Sequence, residues 1–265
     1  MNSIQAIFLD LDGTALLPDH SVSPTLVKML DKARAKKIEV VVCTGRNYSS
    51  SVKSANDLKI ENFMVNYNGG MITNLKNNKI ISENSVPADT IEELIGFAKQ
   101  HKLHLNLYHD DLLYVEAATQ EAVFYKEMTN IDFHIINFND FIGRSSTKAL
   151  IVADPARSDE INLLLARKFP KVTIVNSSDT LIEVLPQGMS KAFGVEFIIN
   201  QLGIDKANTM AFGDQWNDYE MLNFVGHGYL MGNAPQELKD KIPKNRHTLT
   251  NAEDGIVHIL KKFLD

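Results

Sequence analysis

Short apolar segments, each followed at once by polar residues, recur along this chain and alternate with helical patterns. Residues 4–9 (IQAIFL) and 38–43 (IEVVVC) are the first two, and segments of this kind are typical of strands buried on both faces of a parallel sheet. Between them, Ser23 and Pro24 precede apolar residues at helical spacing and predict a helix. A strand–helix–strand unit that repeats predicts a doubly wound α/β fold, in which ligands bind beyond the carboxyl ends of the strands.

The sequence pattern changes in the middle of the chain. From about Glu83 to Glu183, helix-like and strand-like segments alternate without any dense acidic or glycine-rich motif, which predicts a separate α+β domain inserted into the first. The first pattern then resumes: a helix is expected to open after Ser190, and the strand-like segment NTMAFGD ends at Asp214. The predicted domain boundaries are 1–82 for the first part of the core, 83–185 for the insert and 186–265 for the rest of the core.

Composition and charge exclude several classes of protein. The chain carries 27 Lys and Arg against 33 Asp and Glu, a formal charge of −6, so it lacks the basic footprint that holds nucleic acid or anionic lipid. Cys43 is the one cysteine, which excludes an intramolecular disulfide and suits a reducing compartment. The sequence has neither a signal-peptide pattern nor an apolar stretch of the ~20 residues that span a bilayer. We therefore expect a cytoplasmic protein that binds neither nucleic acid nor membrane.

Asp10 and Asp12 stand where the first predicted strand ends. Residues two apart along an extended chain face the same way, so both carboxylates can point into one pocket, and Gly13 then permits a sharp turn. Taken alone, Asp-x-Asp-Gly is also typical of a solvated turn. Two close carboxylates repel unless a cation lies between them, and a site of hard oxygen donors suits Mg²⁺. Asp214, at the end of another predicted strand, can complete such a site.

Three further segments carry residues suited to phosphate oxygens. Thr44 and Gly45 follow the second predicted strand and offer a hydroxyl and a close backbone N–H. Lys191 lies just inside a helix N-terminus, where a cation opposes the helix dipole and needs an anion beside it. The segment GDQWND supplies Asn217 as an amide donor and Asp218 as either an orienting acid or an N-cap. A turn, a surface lysine or a helix cap explains each of them separately, but not all of them together.

The order of these motifs along the chain is similar to that of a known enzyme superfamily. DLDGT, TGR, the lone Lys191 and GDQWND resemble the haloacid dehalogenase (HAD) superfamily in sequence and context. The segments NGG at Asn68, MGNAP at Met231 and EDGI at Glu253 resemble accessory signatures of its Cof-type phosphatases, and the long insert resembles their type IIB cap. The resemblance implies a doubly wound, Rossmann-like HAD core with a parallel sheet, plus an inserted α+β cap domain.

The resemblance also implies a role for each motif residue. Asp10 is the nucleophile that becomes an aspartyl phosphate; Asp12 is the general acid that protonates the leaving oxygen and then the base that activates water. Mg²⁺ is held by the Asp10 carboxylate, the Asp12 main-chain carbonyl and Asp214. Asp218 orients the site. The residues expected to hold the phosphoryl oxygens are Leu11, Thr44, Gly45, Lys191 and Asn217.

Several other polar and aromatic residues need an interpretation. Arg46 is expected to form a salt bridge that secures its loop rather than to bind phosphate. His101, His104 and His109 have neither a cysteine partner nor a helical His-x-x-x-His pattern, so we interpret them as surface or hinge residues rather than a metal site. Trp216 stands where relatives often carry small or charged residues, and it is expected to pack under the cap or to touch the leaving group.

The sequence therefore predicts a Mg²⁺-dependent phosphatase that hydrolyses small phosphorylated metabolites, sugar phosphates among them. The cap is expected to close over the catalytic edge, to exclude water and to select the leaving group. One alternative is a phosphomutase of related architecture, which returns the phosphoryl group to a second hydroxyl. Another is a phospholigand-binding protein that has lost catalysis, which the retention of Asp10, Asp12, Lys191 and Asp214 disfavours.

Overall fold

Strands and helices alternate along residues 4–264, the part of the chain that the computed structural model describes. The strands are β1 (Ala6–Leu9), β2 (Glu39–Cys43), β3 (Phe63–Asn66), β4 (Met71–Asn74), β5 (Lys79–Glu83), β6 (His104–His109), β7 (Leu112–Val115), β8 (Phe133–Ile135), β9 (Lys148–Val152), β10 (Val172–Ser178), β11 (Leu181–Pro186), β12 (Thr209–Gly213) and β13 (His227–Leu230). The helices are α1 (Pro24–Ala35), α2 (Tyr48–Asp57), α3 (Ala88–His101), α4 (Gln120–Thr129), α5 (Ser158–Lys168), α6 (Lys191–Leu202), α7 (Tyr219–Phe224), α8 (Gln236–Lys239) and α9 (Gly255–Leu264).

The described chain divides into two compact units. The first comprises residues 4–46, 51–82 and 190–264, and the second comprises residues 47–50 and 83–189. Within the described residues, each helix is too short or too polar to cross a membrane.

A seven-stranded sheet forms the centre of the first unit, in the order β13-β12-β1-β2-β3-β4-β5. The strands from β13 to β3 are parallel to their neighbours, and β4 is antiparallel to β3. Successive crossovers run outward from β1 in both directions, so the predicted doubly wound α/β fold is confirmed. The segment NFMVNYNGGMIT contains both β3 and β4, because Tyr67 and Asn68 adopt positive φ and turn the chain back.

Alternating residues of the central strands face opposite sides of this sheet. Phe8 and Val41 belong to an apolar cluster that also contains residues of α6 and α7, whereas α1 packs against α9. The helix predicted after Ser190 is α6: the Ser190 hydroxyl accepts the N–H of Phe193 at 3.3 Å, and Gly203 ends the helix with φ +65°. The capping residues therefore set the bounds that position Lys191.

The second unit is an α+β arrangement. Its sheet has the order β10-β11-β9-β6-β7-β8, in which the pairs are antiparallel except for β7 and β8. Residues of α3 and α5 share an apolar cluster with Leu105, Leu107 and Ile151 of the sheet. Lys148 and Glu183 form a buried ion pair in this unit, with Nζ 3.4 Å from Oε1.

Candidate active site

The chain makes a tight turn directly after β1. Asp10 precedes a single turn of π-helical hydrogen bonding, Leu11–Ala15, which contains Gly13 at φ +69°. A Cβ atom at Gly13 would lie 2.3 Å from Oδ2 of Asp214. Glycine is therefore needed at this position for two reasons: the backbone is left-handed, and a carboxylate lies too close for a Cβ atom. The turn places Asp10 and Asp214 at neighbouring strand ends, since β1 pairs with β12.

Lys191 lies at the centre of a buried charge cluster. Its Nζ is 2.6 Å from Oδ1 of Asp10 and 2.6 Å from Oδ1 of Asp218, and all three side chains are buried. Burial alone would lower the pKa of Lys191, but the Asp10 and Asp218 carboxylates outweigh that effect and raise its pKa. Lys191 is therefore held as a cation, and the lone lysine predicted from the sequence lies among acids rather than at the surface.

Asp10 has too little compensating charge around it. Burial raises the pKa of Asp10 well above its ordinary value; Lys191 opposes this rise, whereas Asp218, Asp214 and Asp12 add to it. The positive charge of one lysine therefore faces the negative charges of several carboxylates. A further cation beside Asp10 would favour its ionised form.

Asp214 follows β12 and faces the turn after β1. Its Oδ1 accepts the hydroxyl of Thr14 at 3.0 Å, and its Oδ2 accepts the amide of Asn233 at 3.3 Å. The same Asn233 amide donates to the carbonyl of Gly13 at 2.8 Å. Burial and the neighbouring Asp218 raise the pKa of Asp214 to about 7. Asp214 is therefore positioned by neutral donors that hold its two oxygens in place without neutralising its charge.

Asp218 organises the loop that carries it. Its Oδ2 accepts the backbone N–H groups of Asp214 and Gln215, each at 3.0 Å, while its Oδ1 contacts Lys191. The loop lies so close to this carboxyl group that a Cβ at Gly213 would be 2.3 Å from Cγ of Asp218. Both oxygens of Asp218 are thus engaged within the protein, an arrangement suited to an orienting role.

Three buried carboxylates form the metal-ligand grouping found among residues 4–264. Asp10, Asp214 and Asp218 each offer an oxygen atom, and these atoms lie within 4.8 Å of one another. Hard oxygen donors suit Mg²⁺, and the raised pKa values of Asp10 and Asp214 show that the carboxylates of this cluster outweigh its cationic groups. The residues therefore fit a magnesium ion. Asp218 is the poorest ligand of the three because the Lys191 cation and two backbone N–H groups already bind it, whereas the donors to Asp214 are neutral side chains.

The predicted phosphate-binding residues lie at neighbouring strand ends of the same unit. Leu11 is buried in the turn after Asp10, and Thr44 follows β2, the partner of β1. The Thr44 hydroxyl accepts the backbone N–H of Arg46 at 3.1 Å and still has a proton to donate. Gly45 lies between them. Asn217 donates its amide to Oδ1 of Asn68 at 3.1 Å, and its own Oδ1 is buried without a partner among the described residues.

Asp12 lies apart from the metal-ligand grouping and is paired with Arg46. Nε of Arg46 donates to Oδ2 of Asp12 at 2.7 Å, and Nη2 donates to Oδ1 at 2.5 Å. The salt bridge predicted for Arg46 is therefore confirmed, and its two-pronged geometry fixes the orientation of the Asp12 carboxylate. About half of the Asp12 side chain is exposed, so one face of it stays accessible to a ligand.

The histidines of the insert have ordinary protein partners. His104 contacts Asn106 and Thr119 at 2.8 and 2.9 Å, and His109 contacts the carbonyl of Ser145 at 2.9 Å. None of the three predicted histidines enters a metal-ligand grouping within the described part of the chain. Their interpretation as surface or hinge residues stays a prediction.

Sequence reasoning assigned no role to Thr14, Asn68 or Asn233, although each lies next to a motif residue in space. Asn68 and Asn233 belong to the NGG and MGNAP segments, and Thr14 ends DLDGT. Membership of these motifs was the one sequence signal that could have indicated a role for Thr14, Asn68 and Asn233. Their side chains were not assigned because each contacts a residue that is distant along the chain, as Thr14 contacts Asp214.

Comparison with known proteins agrees with this geometry. The haloacid dehalogenase-like hydrolase family matches residues 7–260. A Haemophilus influenzae protein named "Putative phosphatase" is 31% identical over 97% of both chains. The 5-amino-6-(5-phospho-D-ribitylamino)uracil phosphatase of Bacillus subtilis is 29% identical over 97% of this chain and 96% of its own. The crystal structure of a haloacid dehalogenase-like hydrolase from Bacteroides thetaiotaomicron matches with a TM-score of 0.85 at 27% identity, over 98% of this chain and 99% of that one. The predicted family is confirmed: the chain belongs to the haloacid dehalogenase-like hydrolases and is a phosphatase-type enzyme.

Proposed function

We propose that this enzyme is a Mg²⁺-dependent phosphatase that hydrolyses small phosphorylated metabolites through an aspartyl phosphate on Asp10. The observation that carries the proposal is the position of Asp10, a buried carboxylate at the carboxyl end of β1 with Nζ of Lys191 at 2.6 Å. A carboxylate that is fixed and charge-paired in this way is oriented for attack on phosphorus. A phosphate group that reached Asp10 would also lie close to the positive charge of Lys191.

The reaction has two balanced steps. In the first, an oxygen of Asp10 attacks phosphorus, the bond from phosphorus to the leaving oxygen breaks, and Asp12 gives that oxygen a proton. In the second, Asp12 takes a proton from water, the water oxygen attacks phosphorus, and inorganic phosphate leaves as the Asp10 carboxylate is restored. Arg46 fixes the orientation of Asp12 and favours its ionised form, which is the form that acts as the base in the second step.

Mg²⁺ fits the acidic end of the site. Asp10, Asp214 and the main-chain carbonyl of Asp12 are the proposed ligands, with Asp218 holding the loop of Asp214 in place. The ion would offset the repulsion between an anionic nucleophile and an anionic phosphate. Thr14 and Asn233 contribute by fixing the two oxygens of Asp214.

The remaining motif residues are suited to the transferring phosphoryl oxygens. Lys191 supplies the fixed charge, and the Thr44 hydroxyl and the backbone N–H groups of Leu11 and Gly45 supply neutral donors. Asn217 completes the set when its amide group is rotated by 180°, since rotation exchanges the donor and acceptor ends of an amide. Phosphoryl transfer depends chiefly on such positioning and charge stabilisation.

The leaving group is proposed to be a small metabolite, such as a sugar. The relative from Bacillus subtilis is named for a phosphorylated ribityl-aminouracil, so an ester of this size and polarity belongs among the first substrates to test. The inserted segment, residues 83–185, is proposed to act as the cap that selects the leaving group. The cytoplasmic location and the lack of nucleic-acid and membrane partners stay predictions from composition.

A phosphate-release assay tests the proposal. The enzyme is incubated with a panel of phosphorylated sugars, nucleotides and cofactors in MgCl₂ or in EDTA, beside the Asp10→Asn variant. Exposed Asp57→Asn, which makes the same chemical change away from the cluster, is the matched control. We expect release by the wild type and the control, loss in EDTA that MgCl₂ restores, and none by Asp10→Asn. Full activity of Asp10→Asn would contradict the proposal, and isomer formation seen by ³¹P NMR without phosphate release would indicate a phosphomutase.

A further inference from the structure

One large aromatic side chain stands out in the loop that carries Asp214 and Asp218. Trp216 begins the short helical turn Trp216–Asp218, directly after the two residues whose N–H groups bind the Asp218 carboxylate. These hydrogen bonds, together with the return contact from Asp218 N to the carbonyl of Gln215 at 3.0 Å, fix the backbone of the loop. The position of Trp216 is therefore set by the same residue that orients Lys191.

Trp216 is more exposed to solvent than the two acidic residues of this loop. Asp214 and Asp218 are buried, whereas 36% of Trp216 is exposed. The ring of Tyr219 lies beside the indole, with the ring centroids 6.3 Å apart and the planes tilted by 51°. About a third of the Trp216 surface is therefore open to water, although exposing indole surface to water is unfavourable.

The residue after Trp216 points to a ligand as well. Oδ1 of Asn217 is buried and has no hydrogen-bond partner among the described residues. A buried amide group without a full set of partners is costly, and the rotation proposed above lets a phosphoryl oxygen of the substrate complete the hydrogen bonding of Asn217. Trp216 is therefore the sequence neighbour of a residue proposed to contact the phosphate ester, and it lies two residues after the proposed metal ligand Asp214.

We propose that Trp216 determines specificity by stacking on a flat, conjugated ring in the leaving group of the phosphate ester. This inference rests on the proposed phosphatase function and narrows its substrate class. The indole is the largest π surface among the side chains, and it pairs best with another flat ring placed face to face or edge to face. A saturated ring of equal size would bury a similar area but would lack the stacking energy.

Two synthetic esters isolate the stacking. 2-Phenylethyl phosphate and 2-cyclohexylethyl phosphate release similar primary alcohols and differ in whether the ring is flat. In Trp216→Leu we expect kcat/KM to fall for both esters, because both lose buried area, and to fall about three- to tenfold more for the phenyl ester, which also loses the stacking. Trp216→Phe keeps a flat ring and should restore most of the preference. The control is Leu202→Ala, which alters an exposed apolar side chain at the opposite end of α6 from Lys191 and should leave the ratio unchanged.

Fluorescence provides a readout that does not depend on turnover. Trp216 is the only tryptophan in the sequence, so its emission reports one environment. Titration of the Asp10→Asn protein with the phenyl ester should quench or shift this emission, and the cyclohexyl ester should do so much less. An equal ratio of kcat/KM values in wild type and Trp216→Leu, or equal quenching by the two esters, would overturn the inference. The proposed function would fail if the wild type released phosphate from no ester of the metabolite panel, whereas the fluorescence titration of the wild type would still decide the stacking.

Discussion

Lys191 and Asp218 form a fully buried ion pair, with Nζ 2.6 Å from Oδ1. The pair joins the start of α6 to the loop after β12 and leaves Lys191 free to contact Asp10 at the same distance. The cost of removing two charges from water offsets most of the attraction in a buried ion pair, so we assign this pair a role in positioning rather than in stability. Here the arrangement is a cation held beside the proposed nucleophile.

Lys191→Met should remove the fixed positive charge of the site. We expect kcat/KM for phosphate esters to fall by at least about 100-fold, the usual effect of removing a group that stabilises a transition state electrostatically. Steady-state assays would measure the loss, and thermal melting would show the fraction folded. Exposed Lys28→Met is the matched control and should retain normal activity. Activity within threefold of wild type in folded Lys191→Met would contradict the assigned role.

Gly13→Ala should disturb both the backbone and the metal site. The new Cβ would meet Oδ2 of Asp214 at 2.3 Å in a left-handed conformation, so we expect a loss of about 2–4 kcal/mol in the free energy of unfolding and a large loss of activity. Gly143 provides the control, since its φ is +85° but nothing lies within 4 Å of an added Cβ. Gly143→Ala should cost about 1 kcal/mol and spare activity. Urea denaturation measures both, and equal costs would refute the steric account.

Removing one partner of the Lys148–Glu183 pair should destabilise the second unit strongly. Both side chains are buried, so Lys148→Met removes a cation 3.4 Å from the Glu183 carboxylate and should cost about 3–5 kcal/mol. The double variant with Glu183→Leu should recover much of that loss, which a double-mutant cycle in urea would reveal. The exposed Lys99–Glu116 pair should show a coupling of about 0.2–1 kcal/mol. Additive costs at positions 148 and 183 would show that the two charges do not interact.

Mg²⁺ should stabilise the folded protein independently of any substrate. Binding to the native state alone raises stability by about 2.7 kcal/mol at a concentration 100 times the Kd, so Tm should rise with MgCl₂ and return to its starting value in EDTA. NaCl of equal ionic strength controls for screening. Asp214→Asn should abolish most of the shift, and Asp57→Asn should preserve it. The same shift in wild type and Asp214→Asn would place the ion elsewhere.

Local sequence signals predicted much of this protein. The apolar segments identified β1 and β2, and Ser190 identified the start of α6, because such patterns depend on neighbouring residues. The motif order placed Asp10, Lys191 and Asp214 in one site by family resemblance. The turn between β3 and β4 is harder to predict, since it depends on positive φ angles at Tyr67 and Asn68, which are not glycines.

Contacts between residues distant along the chain explain why the rest was not predictable. The Asp111 carboxylate accepts the N–H groups of Tyr48 and Ser49 at 2.9 and 2.8 Å, and no local pattern around position 48 indicates this partner. Across most of the sequence, Thr14 likewise acts on Asp214, and Asn233 acts on the carbonyl of Gly13. Hydrogen bonds of this type depend on where separate elements pack.

The sequence by itself determined the family, the fold class, and which residue types stand at the ends of β1, β2 and β12. Those properties follow from hydrophobic periodicity, capping residues and motif order, all of which are readable along the chain. The tertiary structure alone decided that Lys191 lies between Asp10 and Asp218 and that the salt-bridge partner of Arg46 is Asp12. It also decided that burial raises the pKa values of Asp10 and Asp214. Burial and charge pairing arise only when distant segments exclude water together, so no local stretch of sequence contains them.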